Sequence, residues 1–276
     1  MIVSVKVRRW ITSLACVAAL SGCASDPVAP TDSDDLMVVV AYLFVGEPVD
    51  DIHITRTVPL GEDPTTAEPV DDATVRLMHL ADVFTLTAAG DGRYRYDGVD
   101  LVIGPGEEWG LSIERNGSVV VTASTVTPAA PTGVALSGDV FEVGGFGRRL
   151  GPQTNNELEI TWDIGTEDFH YVVIEGLDPN AEFILPDAFR ANFGGFRLVT
   201  QPTQNGFFRI RQFALEVLGP HRAVVYRVNQ EYVDLFENQT QDSRDLNEPP
   251  SNIRGGLGIF SAFNGVEVGF DVVRTS

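Results

Sequence analysis

From residue 36 onward, apolar and polar positions alternate with a period of two in short runs, each closed by Gly, Asp, Asn or Pro. Residues 36–44 are rich in Val and aromatics, and 51–58 set Ile52 and Ile54 against His53 and Thr55. Residues 73–80 and 83–88 continue the pattern, and the turn Gly90-Asp91-Gly92 leads into Tyr94 and Tyr96. Residues 108–115 and 118–125 are joined by Asn116-Gly117. Both of these residues tolerate positive φ, so the dipeptide predicts a tight type I′ hairpin. No window in this half carries a 3.6-residue period, and the density of strands predicts a small antiparallel sandwich over 36–127.

Two prolines in Thr127-Pro128-Ala129-Ala130-Pro131-Thr132-Gly133 break the strand pattern and mark the domain boundary. Strand-like runs resume at 158–164 with Trp162, at 170–174, at 206–218 and at 222–228. Asn229 stands where a helix cap belongs, and Tyr232, Leu235 and Phe236 fall on one face, so a short helix is expected over 229–238. The fold class predicted is all-β: two consecutive antiparallel β-sandwich, immunoglobulin-like domains, 36–127 and 128–276, with one short helix in the second.

The first 35 residues lack this pattern. Lys6, Arg8 and Arg9 precede an apolar stretch, 10–20, that is too short to span a bilayer, and the stretch closes on Leu20-Ser21-Gly22-Cys23. That tetrapeptide is similar to a bacterial lipobox. The resemblance implies a signal peptide over 1–22, lipid attachment at Cys23 and a flexible tether over 23–35. Two or more acyl chains, at about 0.8 kcal/mol per buried methylene, give a stable membrane anchor. Ala24 after the lipidated cysteine is compatible with sorting to the outer membrane. Cys16 leaves with the leader, so Cys23 is the sole mature cysteine and no internal disulfide forms.

The chain carries a net charge of −20, and the leader removes three basic residues and no acidic one. Such a surface is repelled by phosphate backbones, which argues against nucleic-acid binding. The acidic pairs Asp50-Asp51 and Asp71-Asp72 lack calcium-loop spacing, and Glu107-Glu108 and Glu157/Glu159 read as solvated residues at strand starts. His53, His79, His170 and His221 are scattered without zinc-site spacing, and His53 and His170 are expected on outward or edge positions. Gly255-Gly256-Leu257-Gly258 lacks the Lys-Ser/Thr of a phosphate loop and reads as a place where backbone passes close to backbone. No Gly-x-Ser-x-Gly elbow occurs, and no catalytic residue, metal or cofactor is assigned. Phe189, Phe193, Phe196, Phe207, Phe208, Phe260 and Phe263 divide between core and a possible exposed partner or glycan platform.

Three resemblances add to this reading. The segments Pro69-Val70-Asp71-Asp72-Ala73-Thr74-Val75, Asp91-Gly92-Arg93-Tyr94 and Gly106-Glu107-Glu108-Trp109-Gly110-Leu111-Ser112-Ile113 resemble a transthyretin-like module. Trp162 and Leu218-Gly219-Pro220 ahead of Tyr226 are similar to a fibronectin type III sandwich with its tyrosine corner. The run Glu248-Pro249-Pro250-Ser251-Asn252-Ile253-Arg254-Gly255-Gly256-Leu257-Gly258-Ile259-Phe260-Ser261-Ala262-Phe263, taken with the lipobox, resembles the domain-of-unknown-function 4249 family of Gram-negative envelope lipoproteins, over 36–273. That resemblance implies an accessory role beside a TonB-dependent outer-membrane transporter. The expected function is a non-enzymatic binding or accessory lipoprotein held at the outer membrane. The alternatives are an envelope glycan hydrolase using paired carboxylates and a purely structural surface protein.

Overall fold

Strand formation follows the period-two pattern closely in the computed structural model, which describes residues 36–50, 52–58, 63, 66–144, 157–166, 168–184, 196–211, 214–238 and 251–275. Cys23, the leader, the tether, Asp51, Phe189 and Phe193 lie outside the described residues. The first half holds β1 (Met37–Phe44), β2 (Ile52–Arg56), β3 (Thr74–His79), β4 (Asp82–Thr85), β5 (Thr87–Gly90), β6 (Arg93–Arg95), β7 (Glu108–Arg115) and β8 (Ser118–Val126). The second holds β9 (Ala135–Leu136), β10 (Val140–Val143), β11 (Glu157–Thr161), β12 (Phe169–Gly176), β13 (Arg197–Val199), β14 (Phe207–Arg211), β15 (Gly219–Val228), α1 (Gln230–Asn238) and β16 (Leu257–Arg274). The strand expected over 206–218 stops at Arg211, and that expected over 83–88 divides into β4 and β5.

One large sheet runs β13-β12-β15-β16-β1-β2-β6-β5, with β10 also paired to β16. A four-stranded sheet, β4-β3-β7-β8, covers one part of its inner face and a three-stranded sheet, β14-β11-β9, forms separately in the second half. Among the described residues every ladder is antiparallel except two, β1 with β16 and β10 with β16. The 127–133 segment separates β8 from β9, yet the 18-residue β16 serves both halves. Its residues 257–263 pair with β1, and its residues 263–272 pair with β15.

Alternation along each strand sorts side chains to two faces. On β1, Met37, Val39, Ala41 and Leu43 enter the first core with Leu77, Trp109, Leu111, Ile113, Phe260 and Ala262. On β12, Val172 and Ile174 enter the second with Trp162, Ile160, Val225 and Phe270. A smaller cluster, centred on Phe263 and Tyr171, lies on the opposite, outer face and receives Val233 of α1. Burying each large side chain contributes about 1.5–3 kcal/mol, so these clusters supply the main stabilisation of the described residues, which include no cysteine.

Local signals account for the turns. Asn116 and Gly117 have φ of 53° and 77°, as the type I′ hairpin requires. Tyr94 is fully buried and its hydroxyl donates to the Val70 carbonyl at 2.9 Å, while Asp71 accepts from the Gly92 N–H at 2.8 Å. The Asp-Gly-aromatic step thus seats a core tyrosine against the 69–73 segment. Asn229 precedes the helix as expected but uses its amide differently. Its Nδ2 donates to the Val126 carbonyl at 2.7 Å and to Thr125 Oγ1 at 3.0 Å, tying the helix start to the end of β8.

The glycine run closes the edge between β8 and β1. A Cβ on Gly258 would stand 2.0 Å from the Val39 carbonyl oxygen, and one on Gly255 would stand 2.1 Å from that of Val120. Arg254 bridges Thr122 of β8 through two backbone hydrogen bonds of 2.8 and 3.0 Å. An otherwise uncharged edge strand is thereby covered.

Candidate ligand-binding groove on the outer face of the large sheet

The outward positions of four adjacent strands converge on one site. They are Tyr42 and Phe44 on β1, Phe263, Gly265 and Glu267 on β16, Arg222, Val224 and Tyr226 on β15, and Tyr171 and Glu175 on β12. Register makes the site: Tyr171 sits directly across from Tyr226, and Glu175 from both Arg222 and Arg197.

Phe263, 1% exposed, is the hub. The rings of Tyr42, Tyr171, Tyr226 and Tyr232 stand edge-on to it, with centroids at 5.2, 5.9, 6.5 and 5.0 Å. Phe44 stacks on it at 5.0 Å, and Tyr171 stacks on Tyr226 at 5.2 Å. Edge-to-face geometry sets the positive ring edge against the negative face, and each such pair adds about 0.5–1.5 kcal/mol beyond area burial.

Beside the rings runs a ladder of charges. Glu175 accepts from Arg197 Nε at 2.9 Å and from Arg222 Nη2 at 2.7 Å, and Arg222 Nη1 lies 3.5 Å from Glu267. Burial alone would raise the Glu175 carboxyl, but the two guanidinium groups outweigh it and hold Glu175 below the usual carboxylate range. Glu47 completes the wall of a groove of about 460 Å³.

The phenols keep their protons. Burial, reinforced by Tyr232, pushes Tyr42 up to about 12. Burial likewise raises Tyr171, Tyr226 and Tyr232, and the guanidinium of Arg197 opposes the rise at all three. Among the described residues, the hydroxyls of Tyr42, Tyr171, Tyr226 and Tyr232 have no hydrogen-bond partner. None of these hydroxyls is among the buried polar atoms that lack a partner, so each is reached by water, and each can donate one hydrogen bond and accept others.

Of the singled-out aromatics that lie among the described residues, Phe263 alone belongs to the groove. Phe260 is buried in the first core, and Phe196 and Phe208 pack against the second. Phe207 is 44% exposed under Arg209, whose guanidinium carbon lies 5.0 Å from its ring centroid. The tyrosines were missed because their convergence needs the strand register; the signal present in sequence was their shared parity with Phe44 and Phe263. Tyr226 makes no tyrosine corner, since its ring points to the outer face rather than into the second core.

His170 is a correction. It is 1% exposed, inside the second half beside Trp162 with ring centroids 5.8 Å apart, not on an outward position. His221 is equally buried and stacks on Phe270 at 5.3 Å. Among the described residues no group of three His, Cys, Asp or Glu side chains could hold a metal ion. Asp72 is paired with Arg115 at 3.0 Å, and Glu159 and Glu157 with Arg209 and Arg211 at 2.7 and 3.4 Å. A second cleft, of about 610 Å³, opens between Pro128, Phe169 and Asn229, but the Asp168–Arg227 ion pair on its wall is already satisfied.

Among solved structures, the chain is similar to the FN1–FN3 domains of chicken CNTN1, at 11% identity and a TM-score of 0.27, covering 86% of this chain and 67% of that one. It is also similar to a two fibronectin type-III domain segment from chicken tenascin, at 8% identity and a TM-score of 0.23, covering 86% and 98%. No curated protein matches the chain. The profile of Domain of unknown function (DUF4249) matches residues 26–267, which include every residue that lines the groove. The chain therefore belongs to the DUF4249 family.

Proposed function

We propose that this protein is a lipid-anchored, non-enzymatic binding protein of the outer membrane, held by acyl chains on Cys23, which engages its ligand in the outer-face groove. The partner proposed is a TonB-dependent outer-membrane transporter. The anchor rests on the lipobox-like Leu20-Ser21-Gly22-Cys23, and the binding role rests on the free hydroxyls around Phe263.

Binding is favoured over glycan hydrolysis by the state of the carboxylates. A glycosidase needs one acid protonated at working pH. Glu175 is instead clamped by Arg197 and Arg222 and held ionised, which leaves it no proton to donate. Its ion pairs act as a wall.

The test is cross-linking in intact cells from a photoreactive side chain placed at Val199, an exposed position of β13 beside the groove, followed by mass spectrometry. A transporter adduct is expected, and its absence together with the absence of any other envelope adduct overturns the reading. Intact-mass analysis of Cys23→Ala against the parent chain tests the anchor. Loss of the acyl mass and release of the variant from membranes are expected.

A further inference from the structure

The groove has a chemistry more specific than binding in general. It offers free donors and free acceptors together. Arg197 spends only Nε–H on Glu175, and the hydroxyls of Tyr171 and Tyr226 have no partner among the described residues. An apolar occupant would strip water from these groups and return nothing, at a cost of about 1–3 kcal/mol for each group left unpaired.

Charge narrows the choice further. Three carboxylates, Glu47, Glu175 and Glu267, face two guanidinium groups, Arg197 and Arg222, in a chain of net charge −20, so an anion is repelled both locally and at long range. A cation cannot accept a hydrogen bond, so the free N–H groups of Arg197 and the O–H groups around it would stay unpaired. What remains is an uncharged, oxygen-rich molecule. Its oxygens must accept from phenols and guanidinium, and its own hydroxyls must donate to the carboxylates of Glu47 and Glu267.

An extended peptide also carries donors and acceptors, but its backbone pairs best along a strand edge, whereas this groove lies on a sheet face whose strands β12, β15 and β16 are paired on both sides. A pyranose ring offers both surfaces at once: C–H groups for the rings of Phe44 and Tyr226, and hydroxyls around its rim. The volume of about 460 Å³ lies within the range of small-molecule sites, about 300–1,000 Å³.

We infer that the groove takes an uncharged saccharide, held by Tyr171, Tyr226 and Arg197 on its oxygens and by Glu47 and Glu267 on its hydroxyl protons. The inference rests on the groove being the binding site proposed above, and it names the ligand class.

The test is calorimetric titration of the full lipidated protein, in a detergent without a sugar headgroup, with hexasaccharides of one length. The neutral probes are maltohexaose, cellohexaose and laminarihexaose, the anionic probe is hexagalacturonate, and the cationic probe is the chitosan hexamer. At least one neutral probe is expected to bind, and both charged probes to bind more weakly than it does. Tyr171→Phe with Tyr226→Phe removes two hydroxyls and no ring, and is expected to weaken neutral binding by about tenfold or more. Circular dichroism of the same variant, expected unchanged, separates this loss from misfolding. The inference is overturned if none of the three neutral probes binds, if a charged probe binds more tightly, or if the double variant binds as the parent does. A protein adduct at position 199 with no saccharide binding removes the saccharide and keeps the groove; loss of both removes both.

Discussion

The carboxamide of Asn252 is bonded to the backbone of Phe260 in both directions, Nδ2 donating to the carbonyl at 2.6 Å and Oδ1 accepting from the N–H at 2.9 Å. A side chain here completes the pairing that a strand would otherwise supply, where β16 turns in beside β1. Phe260 is fully buried, so nothing else reaches its amide. The Asn-Ile step ahead of the glycine run therefore has a structural meaning: it locks the chain into the path that seals β8.

Removing that amide should be costly. Asn252→Ala leaves the Phe260 N–H and carbonyl without partners and is expected to cost about 2 kcal/mol, which lowers Tm by about 4–8 °C. Asn252→Asp keeps the acceptor and loses the donor, and should fall between. Differential scanning calorimetry of the two variants checks the order.

The glycines divide into those that need space and those that need only torsion. Gly258 has φ of 108° and its added Cβ would stand 2.0 Å from the Val39 carbonyl oxygen, so Gly258→Ala is expected to separate β16 from β1 and prevent folding. Gly117 has φ of 77° with nothing within 4 Å of an added Cβ. Gly117→Ala should therefore cost only the left-handed torsion, about 1–2 kcal/mol. Soluble yield and urea midpoints distinguish the two, and equal effects would refute the close-approach argument.

Acid should weaken the second half first. Burial lowers His170, with Asp168 opposing and Arg227 assisting, and burial lowers His221, against the Gly219 carbonyl and Asp271. Both are therefore neutral when folded and take up a proton more readily when unfolded. Their contribution is full above the ordinary histidine value of about 6.5 and is lost as pH falls from there through the depressed folded values. Urea midpoints should decline between pH 7.5 and 5. His221→Phe, which keeps the stack on Phe270, should flatten that decline; an unchanged slope would exclude His221 as its source.

Alkali should act through the tyrosines. Burial is the leading cause of the raised values at Tyr42, Tyr94, Tyr171, Tyr226 and Tyr232, and the bond to Asp100 is the leading cause at Tyr96. Because folded values exceed unfolded ones, stability is intact below about pH 10 and is lost as pH rises through the folded values. Absorbance at the phenolate band should show no ionisation at the ordinary tyrosine value while the protein is folded. Phe263→Ala, expected to cost about 3–5 kcal/mol, should move the four outer-face tyrosines back toward that value.

The aim of individual residues shows where sequence reading stops. Trp162, expected on the strand-like run 158–164, follows β11 and is buried in the second core, 5% exposed, because it continues the alternation of Leu158 and Ile160. His170 was placed outward and is buried, because β12 packs on both faces: the second core takes Val172 and Ile174, and the outer cluster takes Tyr171 and Val173. Alternation carries no sign when both faces of a strand are covered. The helix was legible from Tyr232, Leu235 and Phe236, yet Val233 is its buried residue. Its docking partner, Phe263, comes from a strand some 30 residues later that nothing local specifies.

The all-β class, the Asn116-Gly117 hairpin, the buried Tyr94 and the short helix were determined by the sequence itself, since each depends on torsion preferences and on a period that a few neighbouring residues express. The register that sets Tyr171 against Tyr226, the parallel seating of β16 on β1 and the crown of tyrosines around Phe263 were decided only in the folded chain. A one-residue slip in any of those ladders leaves the local pattern nearly as satisfied, and only packing across the whole sheet selects among the alternatives.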